Sequence, residues 1–151
     1  MAIAKIKRIL LAEDNENDVE LTLNALQECR VSNEVEVVRD GAEALDYIYQ
    51  RGQYSGRGHG LPCVILLDLK MPRVDGLEVL RQIKSDLAVR QVPIVMLTSS
   101  REEKDLVRSY DLGVNAFVVK PVDFNQFVQA IRSMGMFWAI VNEPPPERPK
   151  T

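Results

Sequence analysis

Short apolar runs alternate along the chain with longer segments of helical periodicity, the pattern of a parallel sheet covered by helices on both faces. The apolar runs predict strands over residues 6–12, 34–39, 63–68, 93–98 and 116–119. Val64, Ile65, Leu66 and Leu67 are apolar without a break, as expected of a central strand buried on both sides. Between the runs, Val19, Leu23 and Leu26 recur at spacings of four and three, and Leu77, Leu80, Ile83 and Leu87 at three, three and four, so both segments read as amphipathic helices. Weaker helical patterns cover 41–50 and 102–112, the second ending at Gly113, and a last helix runs from 124 to about 138. Five strand–helix repeats are most simply satisfied by a doubly wound sheet. The expected fold is a flavodoxin-like α/β sandwich, strand order 2-1-3-4-5.

Two segments fall outside this scheme. Residues 51–62 (RGQYSGRGHGLP) hold four glycines and a proline and read as an exposed, mobile connection. Residues 143–151 (EPPPERPKT) read as an extended proline-rich tail following a domain over 1–142. No repeat and no linker to a second domain is visible, so the expected output is not a fused effector.

Composition removes several classes of function. A net charge of -3 without a long basic run offers no footprint for a phosphate backbone or an anionic membrane, so direct nucleic-acid binding is not expected. No apolar stretch approaches the roughly 20 residues of a membrane span, and a cytoplasmic protein is expected. Cys29 and Cys63 match no metal-ligand spacing and His59 has no acidic or thiol neighbours, which gives no support for zinc.

Chemistry concentrates at the strand ends. In an open α/β sheet the ligand site lies beyond the carboxyl ends of the strands, near the reversal of strand order. Strand one ends in Glu13 and Asp14, strand three in Asp68, strand four in Thr98 and Ser99, and strand five in Lys120. Taken singly, Asp14 and Thr98 could be helix caps and Lys120 a solvated charge. Capping does not call for a lysine, and the four residue types together suit one task. Crowded carboxylates repel each other unless a cation compensates, and oxygen ligands favour Mg2+ over zinc. With a phosphoryl group on Asp68 as nucleophile, metal and Lys120 would neutralise its oxygens and Thr98 would donate a hydrogen bond.

LLAEDN (10–15), LLDLKMPRVDG (66–76), VMLTSS (95–100) and FVVKPVD (117–123) resemble the four signatures of response-regulator receiver domains, a likeness spanning 7–134. The resemblance implies Asp68 as phosphoacceptor and Glu13 and Asp14 as the acidic pair. It implies Mg2+ held by Asp14, Asp68 and the backbone carbonyl of Lys70, with Glu13 acting through water. Thr98 and Lys120 would bind the phosphoryl group, and the Lys120–Pro121 peptide would be cis. Phe117 would be the aromatic that moves inward when Thr98 moves toward the phosphoryl group. Glu13 departs from the commoner Asp, which bears on metal affinity. The segment 51–62 and the ending MFWAIVNEPP resemble single-domain regulators partnering phytochrome-type and other hybrid histidine kinases.

Two other classes compete. A phosphatase of the haloacid dehalogenase type also uses a strand-end Asp and Mg2+, but needs a second acid two residues later, where this chain has Lys70. A phosphorylation-independent interaction module would have no use for Asp14, Asp68, Thr98 and Lys120 together. The expectation is thus a signalling switch with only intrinsic phosphorylation chemistry, not an enzyme. Residues 124–141 carry more large apolar groups than one helical stripe buries. These could extend the core, or form a homodimer surface with the helix over 102–112, the fifth strand and Met136 to Val141.

Overall fold

The computed structural model describes residues 8–28, 33–58, 60–100 and 112–133. Five parallel strands, β1 (Ile9–Ala12), β2 (Val35–Val38), β3 (Val64–Asp68), β4 (Ile94–Thr98) and β5 (Ala116–Val119), form one sheet in the order β2-β1-β3-β4-β5. The α-helices among the described residues are α1 (Glu16–Glu28), α2 (Gly41–Tyr49), α3 (Gly76–Lys84) and α4 (Phe124–Ser133). The strand order is the expected one. The sequence pattern over 102–111 lies outside the described residues, as do the chain beyond 133, Cys29 and His59.

Side-chain alternation along each strand divides the core in two. Leu10, Ala12, Ile65, Leu67, Ile94 and Met96 pack with α2 and α3 on one face. Ile9, Leu11, Val64, Leu66, Val95, Leu97 and Val118 pack with α1 and α4 on the other. The unbroken apolar runs of β1, β3 and β4 follow, because both strand faces meet helices.

Two helical stripes needed correction. In α1 the buried residues are Val19, Thr22, Ala25 and Leu26, whereas Leu23 is exposed. Thr22 takes the inward place because its hydroxyl donates to the Asp18 carbonyl at 2.8 Å and so is satisfied within the helix. Leu77, Leu80 and Ile83 of α3 are buried, but Leu87 lies past the end of the helix and is 75% exposed. The helix stops at Lys84, whose ammonium donates to the carbonyls of Arg90 and Val92 and holds the following turn.

The glycine-rich connection is more ordered in its contacts than its composition suggests. Residues Gly52–Tyr54 form a 3-10 turn. The Tyr54 ring meets that of Tyr47 edge-on at 5.1 Å, its hydroxyl donates to Glu43, and the Arg57 guanidinium stacks on Tyr47 at 4.1 Å. The two tyrosines and Arg57 tie the segment to α2. Cys63 is half-buried, and its sulfur accepts from the Asn33 side chain at 3.6 Å.

The loop from β3 to α3 is packed tightly beneath the site. Arg73 has φ 65°, and the Val74 amide bonds back to the Pro72 carbonyl at 2.8 Å, a three-residue turn. Asp75 caps α3 by accepting from the Glu78 amide at 2.9 Å. Gly76 is needed for close approach, since a Cβ there would lie 2.1 Å from the Asp68 carbonyl oxygen and 3.0 Å from Leu69 Cα. Gly76→Ala is therefore expected to destabilise the fold by about 3 kcal/mol in urea denaturation, because backbone atoms must move. A midpoint equal to that of the parent chain would show that the loop can shift freely.

Candidate functional site

β1, β3, β4 and β5 deliver their last residues to one end of the sheet. Continuing the strand alternation, Glu13, Asp68 and Lys120 fall on the face shared with α1 and α4, whereas Thr98 and Phe117 fall on the face of α2 and α3. The site is thus an acid–base cluster on one side of the sheet edge, with a hydroxyl and an aromatic on the other.

The Lys120 ammonium lies 3.1 Å from Glu13 Oε1, 3.0 Å from Asp18 Oδ2 and 3.2 Å from Asp68 Oδ1. Its side chain is only 15% exposed, so it is not a solvated surface charge. Carboxylate oxygens of Glu13, Asp14 and Asp68 all lie within 4.8 Å of one another; Glu13 and Asp68 are buried and Asp14 is exposed. Asp14 does not cap α1: Asn15 does, its side chain accepting from the Asp18 amide at 3.0 Å.

Crowding shows in the protonation equilibria. Burial raises the Glu13 pKa to about 7, reinforced by the hydrogen bond and charge of Asp68 and opposed by Lys120. Asp68 is also raised by burial, with Asp14 adding to the effect, while Glu13's hydrogen bond and Lys120 pull it down. Burial and mutual repulsion thus act against holding both carboxylates ionised. For Lys120, burial favours the neutral amine, but the Asp18 hydrogen bond and the charges of Asp68 and Glu13 prevail and raise its pKa.

The donor set fits a hard divalent cation. Three carboxylates meet one ammonium, so a further positive charge would offset their repulsion; oxygen-only ligands suit Mg2+, Mn2+ or Ca2+ rather than a thiolate metal. Lys70, whose carbonyl is the implied further ligand, is an exposed residue two positions past Asp68.

Thr98 is fully buried, and its Oγ1 has no hydrogen-bond partner among the described residues. A buried hydroxyl left unpaired costs about 1–3 kcal/mol, so a native chain that keeps one calls for an explanation. Phe117 is half-buried and packs against the core on the α2 and α3 face. Through β-pairing it sits beside Met96, two residues before Thr98 on that face. The Lys120–Pro121 peptide is cis, and the Lys120 amide donates to the Thr98 carbonyl at 2.6 Å.

Glu13, Asp14, Asp68, Lys70, Thr98 and Lys120 thus lie at or just past the carboxyl ends of β1, β3, β4 and β5, whereas Phe117 is near the start of β5. Asp18 was missed. It belongs to the pattern Asn15-Glu16-Asn17-Asp18, legible as a helix start with an acid at its third position, but that pattern does not say that the acid reaches Lys120.

The family model for the response regulator receiver domain matches residues 9–132. The chain belongs to that family, the receivers that act as phosphorylation-controlled signalling switches. Among solved structures it is similar to the bacteriophytochrome response regulator AtBRR, with 61% identity, a TM-score of 0.85 and coverage of 93% of this chain and 100% of that one. It is also similar to the phosphorylated cyanobacterial phytochrome response regulator RcpA, with 42% identity, a TM-score of 0.74 and coverage of 89% and 94%. Response regulator Rcp1 of Synechocystis sp. is 35% identical over 132 residues, covering 87% of this chain and 88% of its own. An Mn(2+)-bound form of Rcp1 has been solved, with a TM-score of 0.73, 33% identity and coverage of 93% and 99%.

Proposed function

We propose that this receiver takes a phosphoryl group onto Asp68 from the phosphohistidine of a phytochrome-type or hybrid histidine kinase, and signals by protein association. The observation that carries the reading is the Asp68 carboxylate, buried at the end of the central strand, 3.2 Å from an ammonium and clustered with two further acids. A carboxylate oxygen attacks phosphorus, an O–P bond forms as the N–P bond breaks, and the histidine nitrogen keeps the electron pair. The names of AtBRR and RcpA support the kinase class.

Asp14, Asp68 and the Lys70 carbonyl would hold Mg2+, with Glu13 acting through water; the ion supplies charge neutralisation for phosphoryl oxygens. Lys120 supplies the second positive charge. The Thr98 hydroxyl, without a partner among the described residues, is suited to donate to a phosphoryl oxygen. Movement of Thr98 opens space on the face where Phe117 packs, which couples phosphorylation to the β5 surface. The chain acts as a switch, with no reaction beyond its own phosphorylation and dephosphorylation. Incubation with acetyl phosphate and Mg2+, followed by intact mass measurement, tests the reading; a gain of one phosphoryl group is expected, and an unchanged mass would overturn it.

No helix among the described residues is long and apolar enough to cross a membrane. The reading places the protein in the cytoplasm, and the net charge of -3 supports action without direct nucleic-acid contact. The output surface is a homodimer interface comprising residues 102–112, β5, α4 and the apolar extension 136–141. Phe124, at the start of α4, is 39% exposed and would belong to that surface. Sedimentation across a concentration series is expected to show dimers that are lost when the chain is cut after Met134. Monomers in both phosphorylated and unphosphorylated forms would remove the interface.

A further inference from the structure

We propose that Asp18 is a positioning residue that anchors the Lys120 ammonium so that its third N–H faces the phosphoryl acceptor. The inference rests on Asp68 being that acceptor. An ammonium has three donors; Lys120 donates to Glu13 at 3.1 Å and to Asp18 at 3.0 Å, and its ion pair with Asp68 at 3.2 Å leaves one donor for that side. When Asp68 becomes an acyl phosphate, the donor facing it passes to a phosphoryl oxygen, while the other two keep the ammonium in place.

Of those two anchors, Glu13 has competing duties. It is fully buried, accepts the Asn15 amide at 3.2 Å through Oε2, and belongs to the acidic cluster with Asp14 and Asp68. Asp18 is outside that cluster. It stands in the first turn of α1, where Asn15 caps the Asp18 amide at 3.0 Å and the Asn15 amide is taken by Glu13 rather than by Asp18. The reciprocal bond that an acid in this position makes in a capping box is therefore absent, and the carboxylate is directed across to β5's end instead. Its side chain is 26% exposed, so it closes the solvent side of the lysine. A four-carbon side chain held at both its flanks reaches the phosphoryl group without first losing its rotamer freedom, which is how preorganisation speeds a transfer.

The test uses the full chain with acetyl phosphate and Mg2+, following phosphorylation by intact mass. Asp18→Ala is expected to slow the reaction about three- to tenfold, the range of one partly exposed ionic hydrogen bond. Asp18→Asn, which keeps an oxygen acceptor and loses the charge, is expected to fall between Ala and the parent. In a Lys120→Ala background, adding Asp18→Ala is expected to slow phosphorylation no further, because the anchor then has nothing to hold. A purely structural role at the start of α1 would lower the melting temperature and act equally in both backgrounds. Asp18→Ala at or above the parent rate, or a slowing that persists without Lys120, overturns the proposal. Phosphorylation of Asp68→Asn would instead overturn the identity of the acceptor.

Discussion

Asp68→Asn is expected to take up no phosphoryl group from acetyl phosphate or from a kinase while retaining the fold. The amide is nearly isosteric with the carboxylate and lacks the nucleophilic oxygen pair. Its folding consequences are small for a buried site. The substitution removes one of two neighbouring buried acids, relieving repulsion at Glu13, and Lys120 keeps Glu13 and Asp18 as partners. Stability within about 1 kcal/mol of the parent is expected, and urea denaturation checks it. Acid-labile, hydroxylamine-sensitive phosphate persisting on the variant would place the acceptor elsewhere.

Asp14→Ala is expected to weaken Mg2+ binding by about tenfold to a hundredfold, the range seen when a group supporting a metal site is lost. Asp14 is the exposed member of the three-acid cluster, so it contributes charge to the site without contributing to the core. Removing it is expected to leave folding stability within about 0.5 kcal/mol, as for other exposed residues. Phosphorylation by acetyl phosphate should become slower and need more Mg2+, because charge neutralisation at the acceptor is lost. Calorimetric titration gives the comparison directly. Equal Mg2+ affinity in parent and variant would remove Asp14 from the ligand set and move the cation to another part of the cleft.

Much of the architecture was legible because strand and helix periods differ. Four apolar residues in a row at Val64 to Leu67 suit a strand covered on both faces, and both faces of β3 are covered. The strand ends could then be located, and with them Glu13, Asp14, Asp68, Thr98 and Lys120. Helical stripes were read less well. Leu23 and Leu87 continue an apolar spacing, yet both are exposed, because spacing does not say where a helix stops or which small or hydroxyl-bearing residues its partner surface accepts. Thr22 is buried through a bond to its own helix, a local satisfaction that hydrophobicity cannot register. The segment 51–62 read as loose because glycine dominates it, but two tyrosine–arginine contacts with α2 give it defined packing.

The sequence by itself determined the order of elements, the parallel sheet and which residue types end each strand, since these follow from local period and from where apolar runs stop. Three things were decided only by tertiary structure. Asp18 and Lys120 are more than a hundred residues apart, and only the parallel register that brings α1 beside the end of β5 makes them an ion pair. The pKa of Glu13 reaches about 7 through burial and Asp68, neither of which is a property of Glu13's neighbours in sequence. Gly76 is required because the chain doubles back onto the Asp68 carbonyl, leaving no room for a Cβ. Each depends on distances between segments, which are fixed by packing two helix layers onto one sheet and not by any stretch of sequence alone.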